Sequence, residues 1–180
     1  MRRVSILLSV VALIALSTIA VGSAPIVAQE ATPTPDLEAN KVLARRFHEE
    51  IFDQGNQEVA AEILAPDFVW HAPVGDPIAV GPEAVNAVAT DLRGFIPDFV
   101  LTDDDEIAEG DRVVIRWTLT GTAQGESGPV PVIYTGIDIF RIADGRLAEL
   151  WQNTDDLGLE QQLAGTSSPM GTPAAATPAT

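Results

Sequence analysis

The spacing of apolar residues changes once along this chain, at Asp98, and that change limits what it can fold into. Before Asp98 apolar side chains recur every three or four residues, and after it they alternate. In the first half, Ala39, Val42, Leu43, Phe47 and Ile51 form the stripe of a helix, with Asp36 as its N-cap and Gly55 as its stop. Asn56 caps a short second helix over 57–64, which must end before Pro66 because the residue preceding a proline disfavours helical backbone. Residues 68–71 read as a brief strand. Gly81-Pro82-Glu83 then opens a third helix that turns Val85, Val88, Ala89 and Leu92 inward.

In the second half, strands are predicted over 99–107, 112–122, 132–142 and 147–153, followed by a short closing helix over 157–163. Glu109-Gly110-Asp111 and Ala143-Asp144-Gly145-Arg146 are hairpin turns, and the Gly- and Pro-rich stretch 121–131 reads as a loop. Helices first and antiparallel strands afterwards predict an α+β domain over 37–165, with the helices covering one face of a curved sheet.

The first 28 residues have the order of a secretory leader: two arginines, a long apolar run, then small residues ending at Ala28. Cleavage there predicts a secreted or extracytoplasmic protein. Left uncleaved, the same run is nearly the ~20 residues that span a bilayer and would anchor the chain. A Thr/Pro linker (29–36) and a Thr/Pro/Ala tail (166–180) offer little to bury and are predicted to be disordered. No cysteine is present, so stability must come from the core alone. The formal charge of −16 becomes −18 when Arg2 and Arg3 leave with the leader, and such a surface repels phosphate backbones, which argues against nucleic-acid partners.

No zinc, phosphate-loop, dinucleotide or nucleophile-elbow pattern occurs, so no metal and no cofactor is predicted. The run Asp103-Asp104-Asp105-Glu106 lacks the spacing of a calcium loop and reads as a solvated strand end. Alternation puts Asp138 on one face with Tyr134, Phe140 and Ile142, a carboxylate among apolar neighbours. Desolvation disfavours the charged form of a carboxylate, and a group in that setting is suited to exchanging protons near neutral pH. A structural role, with a hydroxyl or backbone partner, is the alternative. His71, after the strand at 68–70, is a candidate for polarising a carbonyl or for a plain hydrogen bond to a loop. His48, between Phe47 and Glu49, is expected to be exposed. Trp117, Trp151, Phe95 and Tyr134 are candidates for lining a pocket or for filling core, and Asp98 is either a second pocket carboxylate or, the preferred reading, a cap at a strand start.

Several segments occur in a recognisable order: Arg45-Arg46-Phe47-His48-Glu49-Glu50-Ile51-Phe52, Ala65-Pro66-Asp67-Phe68-Val69 with His71, Phe95-Ile96-Pro97-Asp98, Ile107-Ala108-Glu109-Gly110-Asp111-Arg112-Val113, Gly136-Ile137-Asp138-Ile139-Phe140 and Glu149 with Trp151. Together they resemble the SnoaL-like polyketide cyclase (predicted ester cyclase) family. The resemblance implies the conical α+β barrel of the nuclear transport factor 2-like superfamily, in which a strongly bent antiparallel sheet is closed by N-terminal helices. It also implies homodimers or higher homo-oligomers pairing through the outer sheet face. It further implies a metal-free, cofactor-free aldol condensation with Asp138 as acid and base and His71 as a pocket histidine. The ligand implied is a small apolar or aromatic carbonyl compound.

Two positions depart from the family: Gly121-Thr122-Ala123 stands where Gly-Thr-His is usual, and Glu149-Leu150-Trp151 where Glu-His-Trp is usual. Alternation places Leu150 on the face opposite Glu149 and Trp151. An alanine can neither donate nor accept a proton. Two functional classes therefore lead, an aldol-type cyclase or isomerase and a non-catalytic small-molecule-binding module with the same pocket, with a purely structural or assembly role at the cell surface, the Thr/Pro tails as spacers, ranked below them.

Overall fold

The computed structural model of the chain describes residues 36–125 and 128–165. The predicted leader, the linker up to residue 35 and the tail 166–180 lie outside the described residues. Helix α1 spans Leu37–Arg46 and opens on Asp36, whose side chain accepts from the Ala39 backbone N–H. It runs straight into a π-helical segment, Phe47–Asp53, where the ladder lengthens to five residues and Gln54 N–H reaches Glu49 O at 2.9 Å. The wider turn directs Phe47, His48, Ile51 and Phe52 all inward. His48, expected at the surface, is therefore buried, with 2% of its area exposed.

Helix α2 (Gln57–Ile63) is capped by Asn56, which accepts from Glu58 N–H. Strand β1 (Leu64–His71) begins before Pro66, and the two-residue β2 (Ala79–Val80) is too short to have left a period in the sequence. Helix α3 (Pro82–Phe95) starts at its proline and buries Val85 and Ala89. Strands β3 (Val100–Glu109), β4 (Arg112–Gly125), β5 (Gly128–Ala143) and β6 (Arg146–Thr154) follow, then α4 (Asp156–Leu163). The stretch expected as a loop at 121–131 is strand on both sides, with Gly125 paired to Gly128. The expected turns hold: Gly110, Asp144 and Gly145 all take positive φ.

The six strands form one curved, open sheet in the order β2-β1-β6-β5-β4-β3. From β3 to β6 every neighbour is antiparallel. The expectation of an antiparallel sheet fails at β1, which lies parallel to β6 with Trp70 opposite Leu150 and His71 opposite Trp151. The chain reaches β1 from a helix rather than a hairpin, so nothing forces it to run the other way.

The helices cover the inner face, on which Val113, Ile115, Trp117 and Leu119 of β4 and Val132, Asp138, Phe140 and Ile142 of β5 are buried. Phe47 is the hub of this core, its ring centroid 5.1–6.2 Å from those of Phe52, Phe68, Trp70 and Phe140. Gly136 provides the notch that seats Trp117, since a Cβ there would overlap the indole and press on Asn153 O. We expect Gly136→Ala to lose about 1–3 kcal/mol of stability through overpacking. Gly94→Ala, on α3 with open space around it, should be neutral or gain up to about 1 kcal/mol. Urea unfolding of the two variants checks both signs.

Candidate active site

Under the π-helical segment lies a pocket of about 190 Å³. Phe47, His48 and Phe52 form its roof, Val88 and Leu92 of α3 and Ile78 one side, and Trp70, Leu101, Trp117, Leu119, Tyr134, Asp138 and Gln152 of the sheet its floor and far wall. The lining is mostly hydrocarbon, so its few polar groups stand out.

Asp138 is central among them and 1% exposed. Its Oδ2 lies 3.0 Å from His48 Nε2, while Oδ1 is buried without a partner among the described residues. His48 Nδ1 in turn lies 2.6 Å from Asp103 Oδ1 on β3. An imidazole with a carboxylate on each nitrogen is held as the cation, with both N–H groups donating. Burial alone would push His48 down, but the hydrogen bonds and charges of Asp103 and Asp138 outweigh it and raise its pKa to about 9. Both nitrogens are thereby engaged, and no group of three or more His, Cys, Asp or Glu among the described residues is arranged to hold a metal.

Local structure brings these three residues together. The π-helical turn brings His48 inward, and strand alternation does the same for Asp138. Asp103 depends on a bulge: register slips between Asp103 and Asp105, leaving Asp104 and Asp105 to reach Arg116 on the other face. Glu106 pairs with Arg45 of α1. The acidic run expected to be solvated thus has a cationic partner at each position.

Gln152 lies directly across from Asp138 on β6 and also faces the pocket. Tyr134 contributes its ring, because burial and a 2.6 Å bond donated to Asp156 Oδ1 push its phenol well up and hold its proton. Of the other residues singled out in the sequence, Trp117 lines the pocket, and His71, Trp151, Phe95 and Asp98 do not. His71 faces the other side of the sheet, 2.8 Å from Glu149 Oε2 and stacked on Trp151 at 4.8 Å between centroids. Trp151 is on that same side, with the Arg112 guanidinium 5.0 Å from its ring. The reason is alternation counted from Trp70 and Leu150: both point inward, so His71 and Trp151 must point away, and Leu150 rather than Trp151 is the inner residue. Phe95, at the end of α3, packs against core without reaching the pocket. Asp98 accepts from Thr122 N–H and Oγ1–H, fastening the start of β3 to β4 as a cap.

Sequence reasoning missed His48 and Gln152. The apolar doublet Ile51-Phe52, four residues after Phe47-His48, was the available sign that position 48 shares the inner face. Gln152 sits two residues after Leu150, a polar residue in an otherwise apolar column.

An open curved sheet roofed by helices over an apolar pocket is the architecture of the nuclear transport factor 2-like superfamily. Within it the chain belongs to the SnoaL-like polyketide cyclase family, whose model matches residues 42–163. Among solved structures it is similar to TsrD from Streptomyces laurentii, with 29% identity, a TM-score of 0.63, and 74% of this chain and 99% of that one covered. A polyketide-cyclase candidate from Bacillus cereus ATCC 10987 has 28% identity and a TM-score of 0.61 over 72% and 83% of the two chains. IdmH from Streptomyces antibioticus gives 28% identity and 0.61 over 69% and 98%. No protein of curated function matches the chain.

The ion bridge predicts a pH dependence. His48 binds its proton more tightly folded than unfolded, so its contribution is complete below about 6.5 and is lost as pH rises through about 9. The melting temperature of the native protein should therefore fall across that window, and His48→Gln should abolish the fall. A histidine NMR titration with a midpoint near 6.5 for the buried imidazole contradicts the bridge.

Proposed function

We propose that this chain is a cofactor-independent enzyme that moves a proton at the carbon next to a carbonyl, as an aldol-type cyclase or an isomerase, with Asp138 as acid and base. The observation that carries the reading is the division of labour between the two oxygens of Asp138. One is fixed by His48, and the other is buried and without a partner among the described residues, on a side chain that lines the pocket. A general base needs a free lone pair held at a defined place in a site that excludes water, and a fixed rotamer provides it.

The step follows from that geometry. The C–H bond breaks, its proton passes to Asp138 Oδ1 and the electron pair moves onto the carbonyl oxygen as an enolate. Protonated Asp138 then returns the proton to another carbon, giving isomerisation, or to the alkoxide formed when the enolate carbon attacks a second carbonyl, giving ring closure. His48 acts as a positioning residue, keeping a cation beside the carboxylate throughout. The polyketide-cyclase designation of the Bacillus cereus protein supports the same class of chemistry. The predicted leader further suggests that the substrate is met outside the cytoplasm.

A second reading, binding without turnover, is favoured by one observation. Ala123, where the family usually carries histidine, is completely buried in the core and contributes only a methyl group. Exchange of carbonyl α-protons for deuterium, followed by NMR over a panel of ring ketones and keto esters, decides between the two. Asp138→Asn should slow exchange by about 10²–10⁴-fold. Equal rates for the native protein and the variant remove Asp138 from the mechanism, and binding without exchange in either leaves the second reading.

A further inference from the structure

The buried ion bridge leaves a charge unbalanced at the pocket. Asp138 and Asp103 flank His48 at 3.0 and 2.6 Å, and a single imidazolium offsets only one of the two carboxylates. Among the described residues no Lys or Arg pairs with either acid. The neighbouring acids have cations of their own, Glu106 in Arg45 and Asp104 and Asp105 in Arg116. Asp53, which accepts from Leu101 N–H, lies in the field of Arg93. Tyr134 keeps its proton and Gln152 is neutral, so neither supplies a countercharge. The cluster therefore carries one net negative charge. Its pocket-lining member, Asp138, is 1% exposed and has one oxygen without a partner among the described residues. Buried charges are stable when paired, and a cation that arrives with a ligand completes this one.

The walls select the kind of cation. Phe47, Phe52, Trp70, Trp117 and Tyr134 line the cavity, so a strongly hydrated ion would exchange its water for hydrocarbon there. A methylated ammonium group carries its charge beneath methyl groups and is attracted to aromatic rings, so it loses little on entry. The rings meet at angles, Trp117 and Tyr134 at 68° and Phe52 and Trp70 at 77°, which suits a rounded group better than a flat one. Volume sets the size. An apolar cavity of roughly 150 Å³ accommodates benzene, so 190 Å³ takes a trimethylammonium head with a short arm. Ile78, a lining residue with 43% of its area exposed, marks the way in from solvent, where the chain's formal charge of −16 concentrates cations.

We infer that the pocket binds a compact methylated ammonium compound, its nitrogen beside Asp138 and its methyl groups against the aromatic rings. The countercharge is needed whether or not Asp138 moves a proton, so the inference does not rest on the acid/base reading.

The test titrates the whole protein with choline and with tetramethylammonium at about 0.15 M salt, where loose attraction to an acidic surface is screened. Choline should bind at least about tenfold more tightly than 3,3-dimethylbutan-1-ol, which has the same shape and no charge. Its methyl protons should show nuclear Overhauser contacts to the ring protons of Trp117 and Tyr134 and none to those of Trp151. Asp103→Asn removes a carboxylate that does not line the pocket, and should weaken choline by about three- to tenfold while leaving the alcohol unchanged. The inference is overturned if neither cation binds, if the alcohol binds as tightly as choline, if the methyl contacts fall outside the pocket, or if folded Asp103→Asn binds choline as the native protein does. Should that variant not fold, the comparison of choline with the alcohol on the native protein decides alone. Exchange of ketone α-protons separates the two readings. Choline binding by a protein that exchanges no ketone leaves this inference standing and the acid/base role fallen, and exchange without choline binding does the reverse.

Discussion

A single buried cation between two carboxylates ties the helical roof of this protein to its sheet. His48 comes from the π-helical segment, Asp103 from the edge strand and Asp138 from the strand two places in. Taking charges out of water is costly, and removing one partner from such a group leaves an uncompensated buried ion, a loss of about 3–5 kcal/mol. The three elements therefore cannot slide past one another independently. The bridge also explains local irregularities that would otherwise be defects. The π-helical segment buries the imidazole, and the bulge after Asp103 leaves Asp103 facing it while Asp104 and Asp105 reach Arg116.

The inner face of the sheet was legible because a strand sends every second side chain one way. That rule found Asp138, Trp117 and Tyr134 from their own neighbours. It misplaced His71 and Trp151 because the rule gives two faces without saying which is inside. Trp70 and Leu150, both apolar and both adjacent to the residues chosen, were the ones that occupied the core. The helix at 47–53 was legible as a helix but not as a widened one, since the widening depends on a hydrogen-bond ladder rather than on composition. Likewise the parallel pairing of β1 with β6 joins residues about eighty positions apart, and no local spacing reports it.

Imidazole reaches this pocket by a different route from the one the family pattern suggested. The two sheet positions that commonly carry histidine hold Ala123 and Leu150, both fully buried. The histidine of the site is instead helical and engaged on both nitrogens, so it sets the charge and orientation of a carboxylate and has no free lone pair of its own. Besides His48 and Tyr134, the polar side chains that line the pocket are Asp138 and Gln152, set among the rings of Trp70 and Trp117.

The bulged strand β3 is also the outermost strand of an open sheet, with no strand paired along its free side among the described residues. Unpaired strand edges are templates on which a second chain can add itself and begin aggregation. Here the central stretch of that edge carries four acidic groups and a break in its regular pleat, with two of the acids on Arg116 and one on Arg45. An incoming strand would meet ion-paired side chains and a broken hydrogen-bond rhythm there. The same bulge that delivers Asp103 to the buried cation thus also interrupts the border on which another strand would have to add.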